Sequence, residues 1–345
     1  MSGRRASLAL VLLGWAGATM AQPTHTLLAF DDLNGWAEDD HASALSVFAQ
    51  TCRDITRPEW VALCAMAQDK PPARDFFETF FQPVLIEDGE PMLFTGYFEP
   101  ELRGSTVPTP RYRFPIYHVP PELVEGQPFL TRREIEEGDA LKGRGLEIAW
   151  LDDPVDLFFL QVQGSGRIRM TDGRVIRVGY GGKNGRDYTS VGQELVARGA
   201  FEPHEVSAEV IRDWVRANPE DGQGLLWVND SYVFFREVSE VPAGEGPLGA
   251  MNRSITTLRS IAVDPELTLL GAPVWIEREG DQPMNRLMVA QDTGSAIKGA
   301  QRADIFFGTG AAAGRAAGNV KDGGRMVVLM PVEYALSKID SSLDR

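Results

Sequence analysis

From Pro83 onward the sequence breaks into short runs of β-branched and aromatic residues that glycine and proline separate. The chain holds 35 glycines and 22 prolines, and these residues interrupt helices and favour turns. The runs predict strands at residues 84–86, 93–95, 114–117, 232–238, 260–263, 274–277, 287–291 and 326–330. The chain is therefore predicted to be mainly β, and a long helical bundle is excluded.

The residues before Pro83 have a helical pattern instead. Apolar residues recur at helical spacing between residues 42 and 53. Thr56 followed by Glu59 predicts a capping box at the start of a second helix, and a third short helix is predicted at 73–81. Later in the chain the patterns predict a hairpin around Asp172-Gly173 and helices at 191–198 and 207–217.

The first 21 residues have the order of a secretory signal peptide. Arg4 and Arg5 precede an apolar stretch over residues 6–18, and small residues follow up to Ala21. The stretch is shorter than the roughly 20 residues that span a bilayer, and no cysteine at the cleavage site offers a lipid attachment point. We expect a periplasmic protein with no integral membrane segment after cleavage, and peripheral contact with the outer membrane stays open.

Cysteine and histidine usage argues against metal chemistry. Cys52 and Cys64 are the only cysteines, and in an oxidising compartment such a pair predicts a disulfide. The alternative is a pair of buried thiols on neighbouring helices. The cysteines and the four histidines do not have the spacing of metal ligands, so neither a metal nor a cofactor is expected; the histidines are His25, His41, His118 and His204.

Length and net charge limit the number of domains and the classes of partner that the chain can have. A chain of 345 residues with 43% hydrophobic residues can form about two packed domains. The formal net charge is −15, and a chain of this charge repels phosphate backbones. A nucleic-acid partner is therefore excluded.

Three segments combine glycines with polar and aromatic residues in a way that a hydrophobic core rarely requires. They are Thr-Gly-Tyr-Phe-Glu-Pro at 95–100, Gln-Val-Gln-Gly-Ser-Gly at 161–166 with the stretch 179–188, and Gln-Asp-Thr-Gly-Ser-Ala-Ile-Lys-Gly at 291–299 with the stretch 303–308. The turn at 164–166 is not a nucleophile elbow, because no histidine follows His204. It also lacks the Gly-Lys-Ser/Thr ending of a phosphate loop. A plain turn and a sugar groove lined by backbone amides and Gln163 both stay open.

Asp304 stands between Ala303 and the apolar run Ile305-Phe306-Phe307. A carboxyl against apolar surface is desolvated, which raises its pKa and suits it to general acid catalysis near neutral pH. The alternative is an aspartate that caps a turn at the end of a strand. The residues alone favour that alternative.

At these segments the sequence resembles the membrane-bound lytic murein transglycosylase A (MltA) family, whose motifs appear here in order from about Phe94 to Leu329. The last part resembles its 3D domain. The resemblance implies a double-psi β-barrel formed by residues 22–100, with their N-terminal helices, and 240–345. It also implies an inserted β-domain at 101–239 and a groove between the two.

The resemblance further implies cleavage of the β-1,4 bond between N-acetylmuramic acid and N-acetylglucosamine in peptidoglycan, with a 1,6-anhydro product. The family's Asp-Ile-Tyr/Phe-x-Gly motif makes Asp304 the single catalytic residue, and Asp322 is a candidate for a third motif aspartate. The implied partner is the glycan strand, on a monomeric enzyme. The implied substrate-binding residues are Tyr97, Glu99, Gln163, Gly164, Ser165, Gly166, Tyr180, Asn184, Asp292 and Lys298, of which Asp292 and Lys298 would also support the loop that carries Asp304.

Two rival interpretations belong to other classes. An inverting polysaccharide hydrolase needs a second carboxylate across the groove, and Glu99 is the candidate for that base. A non-catalytic glycan-binding module would keep the groove and would tolerate the loss of Asp304. The products formed from peptidoglycan distinguish these three possibilities.

Overall fold

The computed structural model describes residues 22–343 of the chain. The predicted signal peptide, residues 1–21, lies outside the described residues. Within the described part no helix is both long and apolar enough to cross a membrane. The helices are α1 (His41–Thr51), α2 (Pro58–Gln68), α3 (Ala73–Phe80), α4 (Arg132–Glu137), α5 (Pro154–Gln163), α6 (Val191–Ala197), α7 (Ala208–Ala217), α8 (Pro219–Leu226), α9 (Ala311–Gly318) and α10 (Val332–Leu343).

One sheet of nine strands forms a nearly closed barrel. Its spatial order is β1-β2-β15-β11-β12-β10-β13-β3-β14. The strands are β1 (Thr24–Leu27), β2 (Phe81–Glu87), β3 (Leu93–Glu99), β10 (Ser260–Val263), β11 (Pro273–Arg278), β12 (Met284–Thr293), β13 (Arg302–Thr309), β14 (Lys321–Asp322) and β15 (Gly324–Pro331).

The remaining six strands form a second sheet with the order β5-β6-β4-β7-β8-β9. The chain leaves the barrel after β3 and returns to it with β10. The strands of the second sheet are β4 (Glu101–Ser105), β5 (Phe114–Tyr117), β6 (Glu147–Leu151), β7 (Ser165–Met170), β8 (Val175–Lys183) and β9 (Val233–Glu237). The predicted fold class, mainly β with a helical N-terminal part and a second β-domain, is confirmed.

A side chain connects opposite parts of the barrel. Gln301 lies just before β13, and its amide nitrogen donates to the carbonyl oxygens of Ile86 on β2 (2.8 Å) and Met326 on β15 (2.9 Å). Its amide oxygen accepts from the backbone N–H of Met326 at 2.9 Å. A buried backbone polar group must be paired. The Gln301 amide pairs backbone groups of β2 and β15 that a further strand would otherwise pair.

The first three helices pack against the barrel through an aromatic cluster of Phe48, Trp60, Phe76, Phe77 and Phe81. Cys52, directly after α1, is bonded to Cys64 in α2, which confirms the predicted disulfide. The predicted capping box is wrong.

Helix α2 begins at Pro58, and its N-cap Arg57 makes no side-chain hydrogen bond. Proline at the first helical position has no N–H to satisfy and its φ suits a helix. The helix therefore starts without the Thr56 cap.

Removal of the disulfide is expected to destabilise this helical layer. The two cysteines are separated by 12 residues, and cross-linking a loop of this size contributes about 3 kcal/mol through the unfolded state. The double variant Cys52→Ser/Cys64→Ser should therefore unfold at a lower denaturant concentration than the oxidised protein, as measured by circular dichroism. Reduction with dithiothreitol should lower the stability of the wild type and leave the double variant unaffected. Equal midpoints for the oxidised and reduced wild type would contradict this expectation.

Candidate active site

A row of four residues crosses adjacent strands of the barrel. Asp292 on β12 pairs with Ala262 on β10, Ala262 pairs with Asp304 on β13, and Asp304 pairs with Thr95 on β3. Residues opposite each other on neighbouring strands project from the same face of a sheet. The two residues are therefore two strand spacings apart, roughly 10 Å at the backbone, with Ala262 on the strand between them.

Asp304 is held by its neighbours on the same face. Thr95 Oγ1 donates to Asp304 Oδ1 at 2.8 Å and accepts from Arg302 Nη2 at 2.9 Å. Burial raises the pKa of Asp304 to about 6, and the charge of Asp292 adds to the rise, against the Thr95 hydrogen bond and the Arg302 charge, which lower it. A carboxyl with this pKa is partly protonated near neutral pH and can both donate and accept a proton.

Asp292 accepts three hydrogen bonds. The hydroxyl of Tyr97 donates to Oδ2 at 2.9 Å, and the backbone N–H groups of Ala250 and Thr293 donate to Oδ1 at 3.0 and 2.9 Å. Burial raises the pKa of Asp292 to about 6, although these hydrogen bonds oppose the rise. Tyr97 is itself buried, and its ring packs on Phe306 with the centroids 5.3 Å apart. Asp292 is therefore fixed in orientation.

The region of the disulfide-bonded helices makes hydrogen bonds to β12 and to the loop at 247–255, the two segments that surround Asp292. Gln291, the preceding residue, donates to Thr51 Oγ1 at 2.8 Å at the end of α1. Asp54, two residues after Cys52, binds Arg253 through both carboxylate oxygens. Arg253 lies in the loop at 247–255, and its carbonyl accepts from Gly249 N–H at 2.9 Å. The same loop supplies the N–H of Ala250 to Asp292.

A cleft of about 1040 Å³ lies between residues of the barrel and residues of the second sheet. Asp292 is on its wall, whereas Asp304, which is partly exposed, is not among the lining residues. The cleft therefore reaches Asp292 and does not include Asp304. Of the predicted site residues the lining includes Gln163, Gly164, Ser165, Tyr180, Asp292 and Lys298.

The side chains that line the cleft differ in the contacts they make. Gln163, the last residue of α5, accepts from the backbone N–H of Phe98 at 2.9 Å and so joins α5 to β3. The side chain of Tyr180 is 54% exposed on the cleft wall and makes no hydrogen bond with the residues that the structure describes. Lys298 binds Asp264 Oδ1 at 3.2 Å, so its ion pair is not with Asp304.

Four of the predicted groove residues are buried and do not line the cleft, and Tyr97, whose hydroxyl binds Asp292, is one of them. The prediction that Glu99 faces the groove is wrong, because its side chain is 0% exposed and paired with Arg167 and Arg177. Asn184 is also 0% exposed, and its amide bonds only to backbone groups. Gly166 is buried too, and a Cβ there would collide with Leu160. These residues therefore support the structure around the groove.

Thr95 and Arg302 are site residues that the sequence patterns did not single out for a role. Thr95 is two residues before Tyr97, so on a strand both face the same side, and this alternation was the available signal. Asp322 pairs with Arg278 at 3.6 Å and lies on β14, beyond β3. Among residues 22–343, no group of three or more histidine, cysteine, aspartate or glutamate side chains could hold a metal ion.

Two family models match the chain: residues 93–236 match the MltA specific insert domain and residues 259–330 match the 3D domain. The membrane-bound lytic murein transglycosylase A of Vibrio cholerae serotype O1 is 34% identical over 245 residues, which cover 68% of this chain and 64% of that protein. The protein of the same name from Escherichia coli K12 is 37% identical over 243 residues, which cover 68% and 65%. The matched region thus spans slightly less than two thirds of these curated relatives.

Solved structures match over a larger part of the chain. A membrane-bound lytic murein transglycosylase from Agrobacterium tumefaciens has a TM-score of 0.82 and 35% identity, with 91% of this chain and 99% of that chain covered. E. coli MltA with bound chitohexaose has a TM-score of 0.71 and 28% identity, with 85% and 90% covered. This chain belongs to the membrane-bound lytic murein transglycosylase A family.

Proposed function

We propose that this protein is a lytic transglycosylase that cleaves the β-1,4 bond between N-acetylmuramic acid and N-acetylglucosamine in peptidoglycan and leaves a 1,6-anhydro ring. The carboxyl of Asp304 carries the proposal, because burial raises its pKa to about 6. The names of the relatives and the chitohexaose bound to E. coli MltA support a glycan substrate. Such a substrate implies action in the periplasm.

In the proposed reaction Asp304 acts twice. As an acid it protonates the glycosidic oxygen while the bond to C1 breaks and the muramic acid ring gains oxocarbenium character. As a carboxylate it then takes the proton from the C6 hydroxyl of the same sugar while that oxygen attacks C1. The internal hydroxyl has the advantage of proximity over water, so a second carboxyl is not required.

The hydrogen bonds of Asp292 favour this reaction over inverting hydrolysis. An inverting enzyme holds its two carboxyls about 6.5–9.5 Å apart with a water between them, and with Glu99 buried, Asp292 is the candidate base. Its two oxygens already accept three hydrogen bonds. Most lone-pair positions of this carboxylate are therefore occupied, which leaves little room to accept a proton from water. Asp292 is better suited to orient Tyr97 and to keep the pKa of Asp304 raised.

Product analysis tests the proposed function. Purified peptidoglycan is digested with the wild-type protein and, as the matched control, with Asp304→Asn, and the fragments are identified by mass spectrometry. Anhydro ends from the wild type and intact glycan from the variant are expected. Reducing ends would identify a hydrolase, and binding without cleavage by the wild type would identify a glycan-binding module.

Two substitutions are expected to move the pH profile in opposite directions. The alkaline limb of kcat/KM reports the pKa of the acid that must be protonated. Thr95→Val removes a hydrogen bond that lowers the pKa of Asp304, so the limb should move to higher pH. Asp292→Asn removes a charge that raises this pKa, so the limb should move to lower pH. Each shift should be about half to one pH unit; shifts in the same direction would contradict the assignment of Asp304.

A further inference from the structure

Two cations on the cleft wall have no carboxylate partner. The wall includes Lys183, Arg186, Arg236 and Lys298 and the acids Asp187 and Asp292, in a chain of net charge −15. Arg236 pairs with Glu240 at 2.7 Å, and Lys298 pairs with Asp264. Across residues 22–343, no carboxylate lies within 4.0 Å of Lys183 or Arg186. The cleft wall of this acidic protein thus carries two cations that no carboxylate of the described residues contacts in an ion pair.

A β-bulge turns Lys183 into the cleft. Residues three apart on a regular strand point to opposite faces, yet Tyr180 and Lys183 both line the cleft. The pairing of β8 with β9 shifts between Tyr180 and Gly182, and the extra residue of such a bulge restores the common face. Only glycine fits at the bulge, because a Cβ on Gly181 would lie 2.9 Å from Val119 Cγ2.

The next residues fix the backbone that carries Arg186. Asn184 Nδ2 donates to the carbonyl oxygens of Leu130 and Asp230, both at 2.8 Å. Gly185 has φ +66°, and a Cβ there would collide with Gln127. Arg186 Nε donates to the carbonyl of Phe129 at 2.8 Å. The terminal nitrogens of this guanidinium make no hydrogen bond with any described residue.

Two acids lie close enough to affect Arg186. Asp187 is its neighbour in the chain and also lines the cleft. The pKa of Glu134 is lowered chiefly by two hydrogen bonds with Thr131, and the charge of Arg186 adds a smaller part. Neither carboxylate is in ion-pair contact, so the positive charge stays available to a ligand.

We propose that Lys183 and Arg186 form a carboxylate-binding pair that makes the cleft select acidic glycan strands over neutral ones. This inference rests on the proposed function, in which the strand contains N-acetylmuramic acid. That sugar carries a lactyl carboxylate, or a peptide with carboxylates of its own, whereas a chitin-type strand carries none. The Arg186 guanidinium, held at Nε by the carbonyl of Phe129, loses little conformational freedom when it binds an anion, and the charge of the whole protein disfavours an anion elsewhere.

The test compares ligands that differ only in charge. Calorimetry measures the Kd for a peptide-free peptidoglycan tetrasaccharide and for the same tetrasaccharide with its carboxylates converted to methyl amides. All measurements use the Asp304→Asn background, in which the ligand is not cleaved, so that "wild type" in this comparison means that Lys183 and Arg186 are both intact. A second pair of ligands carries stem peptides, with free or amidated carboxylates, and separates the lactyl source from the peptide source. An exposed ion pair contributes about two- to fivefold in affinity. The acidic ligand of one pair should therefore bind the wild type roughly four- to twenty-five-fold more tightly than its amide.

The variant Lys183→Gln/Arg186→Gln should bind the acidic and amidated ligands with equal Kd. The matched control Lys142→Gln removes an exposed cation that pairs with Asp139, and it should keep the preference. High salt should reduce the preference of the wild type, because it screens exposed charges.

Equal binding of acid and amide by the wild type, or a preference retained by the double variant, would overturn the inference. Failure of the proposed function has a different signature, namely reducing ends or uncut glycan in the product analysis. Failure of this inference and failure of the proposed function can therefore be distinguished.

Discussion

Replacement of Asp304 by asparagine is expected to reduce the cleavage of peptidoglycan by at least a hundredfold to ten-thousandfold, the usual contribution of one general acid–base group. The loss should reach or exceed the upper end of that range because the same carboxyl serves both steps of the proposed reaction. The asparagine oxygen can still accept the hydrogen bond from Thr95, so the site should keep its shape. Turnover measured by release of soluble fragments should therefore fall while the Kd for glycan changes little.

The matched control for this variant is Asp322→Asn. Asp322 is also an aspartate of the barrel, but it pairs with Arg278 and is outside the row of residues that holds Asp304. Asp322→Asn should keep turnover within tenfold of the wild type. Turnover of Asp304→Asn at that same level would show that another group transfers the proton, and weakened glycan binding would show that Asp304 mainly binds the substrate.

The alternating and glycine-bounded strands of the barrel could be predicted because their side-chain pattern records which face is buried. Residues 260–263 and 114–117 were predicted with the bounds that the structure has. Helix α5 was missed, because its residues from Val155 to Gln161 are almost all buried. A helix without a polar face has no 3.6-residue periodicity to detect. The Gln-Val-Gln segment thus ends a helix, and the turn begins at Gly164, which caps that helix before β7.

The raised pKa of Asp304 could be anticipated from its apolar neighbours, since these are adjacent in the sequence. The partners of Glu99 could not, because Arg167 and Arg177 are 68 and 78 residues away along the chain. A glutamate in a glycine- and aromatic-rich motif has the same local pattern whether it faces a groove or a buried arginine. Only the pairing of the two sheets decides between these environments.

Glu99 connects the barrel to the second sheet through a buried ionic cluster. Its Oε2 accepts from Arg167 Nε on β7 at 2.9 Å and from Thr309 Oγ1 on β13 at 2.8 Å. Arg177 Nε on β8 is 2.8 Å from Oε1. Both arginines also donate to the carbonyl of Glu245, at 3.0 and 2.7 Å, on the segment that leads back to the barrel. Glu99 therefore places one negative charge between two cations at the contact between the barrel and the second sheet.

Glu99→Gln is expected to destabilise the protein by about 3–5 kcal/mol, the cost of breaking a buried ion pair and leaving its partner uncompensated. Arg177 would then be buried, and Arg167 partly buried, without a carboxylate, and the barrel and the second sheet would lose this shared ion-pair cluster. Cleavage should fall strongly with weaker glycan binding, while the remaining products stay anhydro-terminated, since Asp304 is untouched. Denaturant unfolding, glycan affinity and product analysis measure these three effects.

The conservative variant Glu99→Asp distinguishes a stabilising role of the negative charge from a role of the carboxylate in the reaction. It keeps the negative charge between the arginines, so it should recover part of the stability and part of the binding together. A water-activating base would behave differently, because its loss abolishes the chemical step at unchanged stability. A Glu99→Gln protein that is as stable as the wild type, binds glycan normally and cleaves nothing would therefore assign Glu99 to the reaction and would favour the inverting hydrolase over the lytic transglycosylase.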